Sequence, residues 1–170
     1  MMRYSCDMKN HRVPLAKEIE HVKAYVSIIN MRFDDSITLE CCVEAPLLQV
    51  SILKLTLQPL VENAWSHGIL PKDGHRGIIR IDAEVREEAL IVTVTDDGVG
   101  ITPEKSRELN AQLSEVNYEA ADSEKGSGVA LKNVNNRIKL SDGPEYGLTL
   151  FPAEGGGCRV VMKVKRKQNE

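Results

Sequence analysis

The chain has 170 residues, room for one domain with a sizeable core and too few for two. Hydrophobic residues make up 42% and charged residues 28%, which excludes a disordered chain because enough apolar surface exists to offset chain entropy. A net charge of −3 and only 4% aromatics argue against a basic or base-stacking nucleic-acid face.

No apolar run approaches the roughly 20 residues that span a bilayer, and no charged-then-apolar secretion signal opens the chain. Membrane contact is therefore not expected. Cys6, Cys41, Cys42 and Cys158 form no C-x-x-C pair, so reduced thiols are expected rather than a zinc site.

The first dozen residues are polar and irregular. From Pro14, the residues Leu15, Ile19, Val22, Val26, Ile29 and Phe33 recur at steps of four and three, with Lys17, Glu18, Glu20 and Lys23 on the other side, which predicts an amphipathic helix. The stripe is short for a coiled-coil seam, so packing on the chain's own sheet is expected. Ile37, Leu39, Cys41 and Val43 alternate with polar residues and predict a half-buried strand. Helical spacing returns from Ile52 to His67. Pro59 inside it implies a kink or a start near Gln58. Gly68 and Pro71 are expected to stop this helix.

Ile79–Arg86 and Leu90–Thr95 predict a hairpin around Glu87–Glu88. Thr102-Pro103-Glu104 reads as an N-cap with proline at the first helical position, opening a helix to about Leu113. Ser114–Ser127 reads as a mobile loop and Val129–Leu140 as a helix. Gly147–Phe151 and Arg159–Lys165 predict two last strands around a glycine turn. Antiparallel strands segregated from helices imply an α+β two-layer sandwich with the helices on one face.

Four segments could carry chemistry, and each has an ordinary structural alternative. Asn63 and His67, four apart, share a helix face, with Glu62 offset by roughly 100°. An asparagine oxygen suits Mg²⁺, which takes its other ligands from phosphates and water; a Glu-Asn pair can also be solvated surface. Asp96-Asp97-Gly98-Val99-Gly100 follows a hydrophobic strand. A carboxylate there can accept from the exocyclic amine of adenine and would repel the carbonyl of guanine; a tight turn is the alternative. Gly126-Ser127-Gly128 running into a helix can present free N–H groups to phosphate, or simply cap the helix. Glu154-Gly155-Gly156-Gly157-Cys158 reads best as a hairpin turn.

In combination these segments are specific. An asparagine-bearing helix, then strand–D-x-G-x-G, a polar loop, G-x-G into a helix and a Gly-rich hairpin together resemble the ATP-binding domain of the GHKL (Bergerat-fold) superfamily. Gln58-Pro59-Leu60-Val61-Glu62-Asn63-Ala64 followed by His67-Gly68 is similar to the LytS-type class of bacterial sensor histidine kinases. Arg3-Tyr4-Ser5, Val13-Pro14-Leu15 and Arg32-Phe33 fit that class too.

The resemblance implies a mixed, mostly antiparallel sheet with helices on one face. It implies an N-terminal linker and helix at 1–35, and an ATP-binding catalytic domain at 36–170 with a lid at about 102–127. By that likeness Asn63 would hold Mg²⁺ on the triphosphate, with Glu62 and His67 on the phosphate side. Asp96 would read adenine, and Gly98 and Gly100 would shape its pocket. Gly126 and Gly128 would hinge the lid. The backbone of Val129, Ala130 and Leu131 would meet phosphate, with Lys132 and Asn133 as weaker partners.

The implied activity is transfer of the γ-phosphoryl group of ATP to a histidine in an upstream dimerisation and acceptor domain, which would then serve a response regulator. None of His11, His21, His67 and His75 has the acceptor's surroundings, so self-phosphorylation is not expected. The implied location is the cytosolic portion of a membrane-anchored sensor. Ala130 stands where the family has a third lid glycine; an alternative reading is therefore a nucleotide-binding regulatory module with transfer lost. Pro59 stands where hydrolysing relatives carry glutamate, which disfavours a repair or chaperone type of ATPase.

Overall fold

The computed structural model describes residues 12–115 and 127–167. The expectations for residues 1–11, for most of the loop at 114–127 and for Gly126 lie outside them.

Strand β1 (Arg12–Pro14) pairs antiparallel with β3 (Ser51–Leu53). Between them lie helix α1 (Leu15–Phe33), strand β2 (Ile37–Cys42) and a short 3-10 turn over Ala45–Gln49. Helix α1 buries Leu15, Ile19, Val22 and Val26, the predicted stripe, and ends at Asp34 in the left-handed region (φ 58). It packs on helix α2 (Leu57–Asn63) and meets the sheet chiefly at the edge strand β2. Phe33 stacks edge-on against Trp65 with ring centroids 5.0 Å apart.

The long helix expected from Ile52 divides. Ile52 and Leu53 belong to β3, Leu55 turns the chain at φ 59, and α2 begins only at Leu57. Local spacing could not reveal this, because the partner of β3 is a strand nearly forty residues earlier. Pro59 produces no break, since it sits in the first turn, where the missing N–H has no intrahelical acceptor. Gly68 does not stop the helix either. The chain continues as a π-helical turn over Ala64–Ile69, with Leu70 N–H donating to Trp65 C=O.

Strands β4 (Gly77–Arg86), β5 (Ala89–Asp96), β6 (Gly147–Pro152) and β7 (Cys158–Lys165) complete a sheet of order β2-β4-β5-β7-β6. The β2–β4 pair is parallel and the rest are antiparallel. Helices α3 (Pro103–Ser114) and α4 (Ser127–Asp142) join α2 on one face. That face buries Ile79, Ile81, Leu90, Val92, Val94, Leu150, Val160 and Met162. The α+β two-layer expectation holds.

Both sheet edges are closed by asparagine side chains. Asn30 accepts from Ile37 N–H at 2.8 Å and donates to Ile37 C=O at 2.9 Å on β2. On β6, Asn110 makes the same reciprocal pair with Leu150, both at 2.8 Å. Asn135, fully buried, accepts from Leu148 N–H at 2.9 Å and donates to Leu113 C=O at 2.7 Å. Each amide mimics a strand backbone and satisfies groups that an edge would leave open. Asn135→Ala should therefore lower unfolding free energy by roughly 2–4 kcal/mol, read from urea denaturation. An unchanged midpoint would mean that the edge is satisfied some other way.

Candidate functional site

Asp96 is the last residue of β5. The strand's alternation places it on the same face as Leu90, Val92 and Val94, so a carboxylate occupies an inward position and is 4% exposed. It accepts from Gly98 N–H at 2.9 Å. Three elements converge on it through glycines. A Cβ on Gly68 would lie 2.4 Å from an Asp96 carboxylate oxygen, and one on Gly157 would lie 1.8 Å from the Asp96 carbonyl oxygen. A Cβ on Gly98 would lie 2.2 Å from the Gly68 backbone. No side chain fits at any of the three. Gly100 turns the chain at φ +80 beside Gly157, a conformation open to glycine.

Burial pushes the Asp96 carboxyl up to about 6, although the N–H groups of Gly98 and Cys158 oppose the shift. Cys158 is buried next to it. Desolvation and then the Asp96 charge push its thiol to about 12, so it serves as an apolar wall and not a nucleophile.

Asp96 floors a cavity of about 320 Å³. Of the residues expected at a site, Asn63, His67, Gly100, Gly128 and Leu131 also line it. Gly98 lies behind the wall, packed on Gly68. Glu62 does not reach the cavity. Its carboxylate accepts from the Gln58 amide at 2.8 Å, and its charge, after burial, helps to raise the Tyr25 hydroxyl on α1. Val129, Ala130, Lys132 and Asn133 fall in the first turns of α4 without lining the cavity. The described part of helix α4 already includes Ser127, before the expected Val129, so Gly128 is helical and stands in open space. A glycine there costs only about 1 kcal/mol, which does not prevent helix formation. Ala130 is exposed and has no positive φ.

Spacing arguments did not assign Lys105, Leu109 and Gln112, which project from one face of α3 into the cavity, nor Ile101, Leu150 and Cys158. The 4-and-3 spacing of the α3 residues was visible, but nothing local says which side of that helix meets the sheet. Ser106 and Asn110 decide it, donating to Leu150 C=O, both at 2.8 Å.

Residues 49–168 match the family model described as histidine kinase-, DNA gyrase B-, and HSP90-like ATPase. The chain belongs to that family. Residues 1–37 match a second model, described as histidine kinase. An uncharacterized sensor-like histidine kinase of Staphylococcus epidermidis is 32% identical over 96% of this chain, which spans 30% of that relative. The sensor protein LytS of Oceanobacillus iheyensis is 36% identical over 74% of the chain, spanning 20% of that relative. Among solved structures, the nucleotide-free catalytic domain of histidine kinase ThkA aligns with a TM-score of 0.67 at 19% identity, covering 94% of this chain and 98% of that one. The chain thus spans under a third of the curated relatives just named.

The carboxyl of Asp96 has a direct consequence for stability. Between its unfolded value of 3.8 and about 6, the native state holds a proton that the unfolded chain has released. Asp96 therefore lowers stability as pH rises through that window, and its cost is constant above it. The difference in unfolding free energy between Asp96→Asn and the native protein, without ligand, should grow in favour of the variant by about 3 kcal/mol from pH 3.5 to 7. Denaturant titrations at stepped pH measure it, and a flat difference would mean that the carboxyl meets water.

Proposed function

We propose that the cavity binds ATP with Mg²⁺. On this reading the chain is the catalytic domain of a longer sensor histidine kinase, and it passes the γ-phosphoryl group to a histidine in that kinase's dimerisation and acceptor domain. The observation that carries this reading is the buried Asp96 carboxylate at the cavity floor, walled by glycines. Gly68 and Gly100 line the cavity beside it, so bare backbone stands next to the carboxylate there. Its acceptor oxygens suit the exocyclic amine of adenine; the carbonyl that guanine carries at that position would face a negative charge. Ile101, Leu109, Leu131 and Leu150 supply the apolar walls that such a ring needs.

The donor set also fits the metal and the phosphates. Asn63 offers a hard amide oxygen at the cavity wall, and His67 stands one turn beyond it. Mg²⁺, held by Asn63 and the triphosphate, would neutralise charge on the transferred group. The N-terminal turns of α4, with Gly128, Val129, Ala130 and Leu131, direct backbone N–H groups and the positive end of the helix towards phosphate. Lys132 and Asn133 are secondary partners there. Gly128, together with Gly126, would let this end move over the ligand as part of the lid at about 102–127, although its first half, Pro103–Ser114, is helix α3, held on β6 by Ser106 and Asn110. Glu62, off the cavity on the side of α1, has a role only at the transfer step, where it could take the proton of the incoming histidine.

The domain limits at 36 and 170, the preceding linker and helix at 1–35, the response regulator served through the acceptor domain and the cytosolic location on an anchored parent belong to the same proposal. The described residues contain no helix long and apolar enough to cross a membrane. Ala130 sits in ordinary helical backbone, so its methyl group does not favour a module that has lost transfer.

Calorimetric titration with ATP, ADP and GTP in Mg²⁺ tests the reading. ATP should bind at least tenfold more tightly than GTP, and Asp96→Asn should erase that preference. Equal binding of both purines would refute the assignment. The ionised carboxyl is the stronger acceptor for the amine, so ATP affinity should hold above pH 6 and fall by less than about tenfold per unit below it. Given a separate acceptor domain, Glu62→Gln should lose phosphoryl transfer, followed as phosphohistidine, and keep its ATP affinity.

A further inference from the structure

Helix α2 is capped from outside its own segment. Thr56, at its N-cap, makes no capping bond to the helix. Glu18 on α1 does so instead. One carboxylate oxygen accepts from Leu55 N–H at 2.9 Å, and the other accepts from Thr56 and Leu57 N–H at 2.9 and 3.1 Å. Glu18 is 2% exposed, an unusual burial for a glutamate unless its oxygens are bonded. The carbonyls of the same turn are held from the opposite side. Arg137 on α4 donates to Lys54 and Leu55 C=O at 2.6 and 3.1 Å. Leu55 sits at φ 59, a strained conformation that persists when its surroundings over-determine it.

The other end of the same helical run is held separately. Val99 N–H donates to Gly68 C=O at 2.9 Å, and Gly68 fits closely against Asp96. Asn63 and His67 lie between these two anchors, Asn63 at the junction where α2 widens into the π turn. At a rise of about 1.5 Å per residue, Asn63 is about 9 Å from the capped end. Loss of the cap loosens that end, which Arg137 still holds through its carbonyls, while Gly68 and Asp96 stay fixed by the sheet and its loops.

We infer that Glu18 is a positioning residue for the metal and phosphate end of the cavity. Acting through α2, it sets where Asn63 and His67 stand relative to Asp96, and it does so from α1, outside the cavity. This rests on the reading of the cavity as an ATP site.

The test compares affinities for Mg-ATP and for adenosine, which probes the Asp96 end alone, in the native protein, Glu18→Gln and Val22→Ala. Glutamine keeps the volume and one acceptor oxygen but turns an NH₂ group towards the backbone donors. Val22, fully buried on the same helix, controls for lost packing without touching the cap. Glu18→Gln should weaken Mg-ATP about tenfold, the size of one lost charge-assisted bond, and leave adenosine within about twofold. Val22→Ala should lower the melting temperature and leave the Mg-ATP to adenosine ratio unchanged. Glu18→Asp, too short to span the turn, should behave as the glutamine variant does and serves if that variant does not fold. An unchanged ratio in the Glu18 variants, or the same change in Val22→Ala, would overturn the inference while the native protein still binds ATP. A native protein that binds neither ligand would remove the ATP reading and the inference together.

Discussion

A carboxylate placed where the sheet would otherwise carry an apolar side chain is the constraint from which the rest of the site follows. Asp96 continues the inward row of Leu90, Val92 and Val94, and an isolated buried charge is costly. Its surroundings meet that cost in two ways. Backbone N–H groups from Gly98 and Cys158 point at it, and three neighbouring elements withdraw their side chains. Gly68 from the π turn, Gly98 from the loop after β5 and Gly157 from the β6–β7 hairpin leave room for nothing larger than hydrogen. Burial outweighs these N–H groups and holds the carboxyl up near 6.

The helical layer is tied down by buried polar contacts rather than by apolar packing alone. Asn30, Asn110 and Asn135 bind the edges of the sheet with side-chain amides. Arg12, on the strand that leads into α1, bonds Asp142 at the end of α4, and Asp142 also accepts from Lys165 N–H at 2.8 Å. Glu18 caps α2. These contacts are directional, so they fix how each helix is rotated and how far it slides along its axis, which hydrophobic contact specifies only loosely. The cavity walls contributed by α2, α3 and α4 take their shape from that definition.

Membership in the histidine kinase-, DNA gyrase B-, and HSP90-like ATPase family accords with this arrangement. The nucleotide-free ThkA catalytic domain shares the fold at 19% identity. Such divergence is expected where a fold rests on burial pattern and backbone geometry. Most surface and many core positions can change while that geometry is kept.

Much of the architecture was legible in the order of residues. Period-two alternation located β4, β5, β6 and β7, and the stripe on α1 located its buried face, because burial on one side imposes a repeat that any single strand or helix displays. The glycines and Asp96 stood out for a related reason: their constraint is local in sequence, a charge closing a strand and bare backbone beside it. What the residues did not disclose depends on partners far along the chain. Ile52 and Leu53 read as helix until β1 pairs with them. Glu18 reads as the polar side of α1 until the turn before α2 is set over it. Gly68 reads as a helix stop until Asp96 fills the place of its side chain. The facing of Lys105, Leu109 and Gln112 was open until Asn110 found Leu150. Sequence by itself determined the strands of the main sheet, the amphipathic face of α1 and where bare backbone stands beside a charge, but not the short strands β1 and β3. Only the tertiary structure decided how those segments are rotated and joined, because hydrogen bonds between residues dozens of positions apart leave no periodic trace in either partner.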